Sequence, residues 1–185
     1  MSDGRVNIVG VGSILMGDDG AGPAVIAALG RRRLPPEVRL IDAGLALSDT
    51  LGTLDPGDRL IVIDGFCAGP DARIPARRDR RAASRAGGTP GSIYRARLPE
   101  AALEHNPFPG CVSLHELSVM PALALEALSG REFRDVTVYG IEPQALDWGE
   151  GLSAPVARAV EELTTYLCRE VGAERVSEMA GESKA

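Results

Sequence analysis

The chain has no surplus of positive charge. Its 20 Lys and Arg stand against 26 Asp and Glu, a formal net charge of −6. That excludes general nucleic-acid binding, which needs a basic surface. Aromatic residues make up only 4%, too few to build base-stacking platforms. No apolar run reaches the ~18 residues of a membrane span. The N-terminal MSDGRVNIVG has no basic stretch ahead of an apolar core, so no signal peptide is expected. The three cysteines, Cys67, Cys111 and Cys168, are odd in number, far apart and without a CxxC pair. This usage predicts a reducing, cytoplasmic setting.

What is present is an alternation. VNIVGVG (6–12), VRLIDAG (38–44), RLIVIDG (59–65) and VTVYGIEP (136–143) are short runs rich in Val and Ile that close on Gly, Asp or Glu. Runs apolar on both faces read as parallel strands buried between helices. SIYRARL (92–98) reads as a fifth strand at an edge. Helical patterns fall in PAVIAALGRRR, in LALSDTLGTL with Ser48 as a plausible N-cap, and in SLHELSVMPALALEALSG. A last helix starting near Ser153 places Val156, Val160, Leu163 and Leu167 on one face. The expected fold is α/β: a three-layer αβα sandwich with a twisted, mostly parallel sheet of about five strands. At 185 residues and 44% hydrophobic, residues 1–171 form a single domain with a sizeable core. Residues 172–185 turn polar and are expected to fray.

Residues 68–92 break the pattern with six Arg, two Asp, three Pro and four Gly. The stretch carries +4, leaving −10 for the remainder. It reads as a surface loop too charged to bury. It is either a tolerated insertion or an electrostatic docking arm.

Ligands of open α/β sheets gather at the C-terminal ends of the strands. The first strand leads there to Asp18 and Asp19, the second delivers Asp42, and the third delivers Asp64. Converging acids repel unless a cation or proton relieves them, so the acidic turn suits a metal. An Asp before a helix is also a common N-cap, and Asp64 could cap a turn. The adjacent pair lets these roles divide. A dinucleotide site is disfavoured, because the G-x-G-x-x-G fingerprint has Leu15 in place of its third glycine. Of the two histidines, His105 lies in the loop HNPFPG. His115 lies in SLHE, where Ser113 and Glu116 have capping-box spacing. A histidine in the first turn of a helix is kept neutral by the dipole and can be a metal ligand, a base or a packed residue.

These segments together carry a resemblance. GVGSILMGDDGAGPAVIAAL, LIDAGLALSDTL, LIVIDG, SLHELSV and VYGIEPQALDWGEGLSAPV run in order across nearly the whole chain. The chain resembles the nickel–iron hydrogenase maturation endopeptidases, with Ser13 standing where that family usually has Asn. The resemblance implies an endopeptidase that removes the C-terminal extension of a hydrogenase large-subunit precursor after nickel insertion. It implies Asp19, Asp64 and His115 as the metal-contacting and catalytic residues. The metal would be nickel carried by the substrate, although other divalent ions could occupy the same donors. Three protein ligands leave coordination positions open, unlike a closed structural site. Hydrolysis could run through the metal or through a carboxylate base. The expected partner is the large-subunit precursor, met by a monomer with no nucleic acid and no membrane. The alternatives are a noncatalytic metal-binding chaperone of the hydrogenase and a small-molecule hydrolase on a related sheet.

Overall fold

The computed structural model describes residues 4–68, 88–98, 111–113, 119–133 and 135–172. Within them run β1 (Val6–Val11), a 3₁₀ turn (Gly17–Gly20), α1 (Ala21–Leu29), β2 (Val38–Gly44), α2 (Leu47–Gly52) and β3 (Arg59–Ala68). β4 (Ile93–Leu98), β5 (Cys111–Ser113), α3 (Val119–Leu128), β6 (Val136–Ile141) and α4 (Ala154–Glu170) follow. The sheet order is β2-β1-β3-β6-β4, with β5 added to the far end of β3. β2, β1, β3 and β6 pair in parallel, and β4 closes the edge antiparallel to β6. The expected α/β sandwich is therefore the observed fold.

Helices on both faces explain why the central strands are apolar on both sides. Ile8, Ile61, Ile63, Tyr139 and Ile141 pack against α1 and α4. Val9, Val11, Val62, Phe66 and Val138 pack against α2 and α3. Val156, Val160, Leu163 and Leu167 of α4 are all buried, and Ser153 is its N-cap residue, as their spacing predicts.

Some boundaries differ from the sequence reading. Ser48 is not the N-cap of α2. That position falls to Ala46, and no side chain caps it. Ala68 belongs to β3, and Ser92 bonds back to Thr89 in a turn entering β4, so both ends of the Arg-rich stretch are structured. Its residues 69–87 lie outside the described set, as does the tail from 173. Ser113, the expected cap, ends β5 opposite Phe66, and the described part of the following helix begins at Val119.

The strand order contains a switch point. The connection from β1 leads through α1 to β2 on one side, and β3 lies on the other. Neighbouring loops diverge at such a point and open a crevice beyond the strand ends. Here β1 pairs with β3 only as far as Gly10 and Ile63. Beyond that, β1 bulges toward β2, pairing Val11 with Gly44.

Candidate functional site at the sheet edge

The acidic turn is built by a close approach of backbone. Gly12 has φ of 126°, and a Cβ there would lie 1.9 Å from the carbonyl oxygen of Asp19. Only glycine lets the chain fold back so tightly. The Ser13 N–H then donates to Oδ2 of Asp19 at 2.7 Å. Behind the turn, a Cβ on Gly22 would lie 2.3 Å from the carbonyl oxygen of Val11 and 2.7 Å from that of Ile63. These glycines serve turn closure and helix-on-strand contact. The Ser13 N–H that a phosphate could have used is taken by Asp19.

The two neighbouring acids have separate partners. Asp18 is buried, and its carboxylate accepts the N–H groups of Gln144 at 2.8 Å, Ala145 at 3.1 Å and Ser153 at 2.6 Å. It also accepts the Ser153 hydroxyl at 2.8 Å. Burial pushes its pKa up, but the bonds from Ser153, Gln144 and Ala145 together outweigh that and hold it below the ordinary value. Asp18 thus fastens the turn to the N-terminus of α4, where a carboxylate also meets the positive end of the helix dipole. Asp19, 5% exposed, sits in a turn that rests against β3.

Asp64 is fully buried on β3. It pairs with Gly140 of β6 and lies one residue past the last pairing to β1. Strand alternation puts it between Val62 and Phe66, on the α2/α3 face. Asp19, in the turn after β1, and Asp64, on β3, therefore both lie at the edge of the sheet where β1 and β3 part. Among the described residues, no three His, Cys, Asp or Glu side chains gather in reach of one ion. His115 and His105 fall outside those residues.

Asp42 does not join Asp64. It alternates with Leu40 and Val38, which pack on the α1/α4 side. It is exposed, and its carboxylate accepts the Gly44 N–H at 3.0 Å. The role shown is the turn at the end of β2.

Sequence reasoning passed over Glu142. It is 6% exposed just beyond β6, and it accepts the hydroxyl of buried Tyr94 at 3.0 Å. Its parity places it on the same face as Gly140 and Asp64. The signal was legible, since Glu142 closes the run VTVYGIE as Asp64 closes LIVID.

Comparison with known proteins bears on this edge. No family model matches the chain. The chain is 26% identical over 176 residues to the hydrogenase 2 maturation protease of Escherichia coli (strain K12), covering 93% of this chain and 95% of that one. The structure of the hydrogenase maturating endopeptidase HybD from E. coli superposes with a TM-score of 0.66 at 25% identity, covering 92% of this chain and 95% of that chain. The hydrogenase expression/formation protein HoxM of Azotobacter vinelandii is 31% identical over 165 residues, 87% of this chain and 69% of HoxM. The chain belongs to the hydrogenase maturation protease family. It is a peptidase, and the crevice beside Asp19 and Asp64 is the candidate active site of this family member. No helix among its described residues is long and apolar enough to cross a membrane.

Proposed function

We propose that this peptidase removes the C-terminal extension of a nickel–iron hydrogenase large-subunit precursor after nickel insertion, and that the substrate's nickel is its recognition element. The supporting observation is the burial of two carboxylates, Asp19 and Asp64, at the sheet edge where β1 and β3 part, in a chain of this family. Together with the imidazole that the family resemblance implies at His115, two carboxylates would make an O, O, N donor set suited to a divalent first-row ion. Such a set leaves room for ligands that arrive with the metal. Nickel, when bound, supplies a Lewis acid for the scissile carbonyl. Either carboxylate can hold a proton taken from the attacking water. Asp18 keeps the turn in place without entering the chemistry. The setting is the cytoplasm, consistent with the cysteine usage, and the working unit is one copy.

The test is to mix the protein with nickel-loaded and with nickel-free large-subunit precursor and to measure the subunit mass. Shortening of the loaded form alone is the expected result. Cleavage of both forms removes the nickel-reading role, and an unchanged mass for both removes the proposed function.

A further inference from the structure

Three loops at this edge are joined to one another by backbone hydrogen bonds. Gly12 N–H donates to Gly44 O at 2.8 Å, Gly17 N–H to Gly149 O at 2.9 Å, and Gly149 N–H to Leu15 O at 3.0 Å. They follow β1, β2 and β6. They carry four large apolar side chains into solvent: Ile14 is 59% exposed, Leu15 49%, Leu45 65% and Trp148 83%. A single exposed Leu means little, but apolar groups gathered on one rim mark an interaction surface. The same loops are acidic. Residues 42–49 and 143–151 include exposed Asp42, Asp49, Asp147 and Glu150, and neither they nor residues 12–18 contain any Lys or Arg. The rim also leads directly to the crevice, because the loop bearing Ile14 and Leu15 is the one whose Ser13 N–H binds Asp19.

We infer that this rim docks the polypeptide substrate through a segment that presents apolar side chains beside Lys or Arg. The inference rests on the proposed peptidase function and adds a binding surface to it. Apolar contact with Trp148, Leu15 and Leu45 supplies affinity, since aromatic anchors dominate interface energetics. The surrounding carboxylates select cationic neighbours and speed association at low salt.

The experiment measures processing of nickel-loaded precursor, by subunit mass, for the wild type, Trp148→Ser, the double variant Leu15→Ser/Leu45→Ser, and Leu128→Ser. Leu128, 87% exposed on α3, is the control away from the rim. Thermal melting is followed alongside to establish that each variant folds. The expected result is a KM raised about tenfold or more for both rim variants, with kcat within about twofold and Leu128→Ser unchanged. Added salt should raise the wild-type KM. Rim variants that process with wild-type KM, or that lose kcat alone, overturn the docking role while leaving the peptidase function standing. A wild type that leaves the loaded precursor uncut ends that function and the docking role with it.

Discussion

The Asp18 carboxylate takes both the backbone N–H and the hydroxyl of Ser153, at 2.6 and 2.8 Å, across 135 positions of sequence. Asn at position 18 keeps one acceptor oxygen but loses the charge and turns an NH₂ toward donors. Asp18→Asn should therefore destabilise the fold by about 2–4 kcal/mol, through buried donors left unpaired. Urea unfolding at neutral pH measures it.

A pH dependence follows from the same group. Its folded pKa lies below the unfolded value, so its stabilisation is full above the unfolded carboxylate range. That contribution is lost as pH falls through the depressed folded value. The wild type should lose stability over that acid window, and Asp18→Asn should lose less across it. Chemical denaturation in a series of acidic buffers compares the two slopes.

Asp19→Asn and Asp64→Asn should each reduce processing by about 10²–10⁴-fold while the protein stays folded. Both acids are buried at one edge of the sheet, and acids kept at a functional site commonly cost stability, so melting temperatures should hold or rise. Subunit mass reports activity, and circular dichroism reports the fold. A variant that unfolds shows the residue to be structural instead.

Gly22→Ala tests the seating of α1. The added methyl meets backbone oxygens of Val11 and Ile63 at 2.3 and 2.7 Å. Neither can rotate away, so helix and strands must separate. The cost should be about 3 kcal/mol or more, read as a lowered denaturant midpoint.

Tyr94→Phe removes the hydroxyl that donates to Glu142. A buried carboxylate with one donor fewer should cost about 1–3 kcal/mol. Thermal unfolding of this variant against wild type checks the figure.

The strands β1 to β4 and β6, and α4, were legible because their signals are local, whereas the short β5 reads in sequence as the start of a helix. Runs such as LIVID are apolar on both faces, and the four residues from Val156 to Leu167 repeat at helical spacing. The division between Asp18 and Asp19 was legible only as a possibility. Deciding it needed Ser153 and Gln144, which reach Asp18 through tertiary folding alone. Asp42 misled because a strand-end position does not say which face a side chain takes; that depends on the register of β2 against β1. Ser48 misled because a good capping residue two positions past the N-cap, already inside the helix, has no cap to make. Glu142 was overlooked because its partner, Tyr94, comes from an antiparallel edge strand remote in sequence.

The anchoring of the Gly17–Gly20 turn has a consequence for the order in which the molecule is made. Asp19 leaves the ribosome early, but the groups that hold its turn do not. Gln144, Ala145 and Ser153 come more than 120 residues later, after β6. A nascent chain that has already produced β1, α1 and β3 thus has both crevice carboxylates and no clamp for one of them. The edge takes its final shape only as the start of α4 is synthesised, which leaves the unfinished polypeptide without a set site during most of its translation.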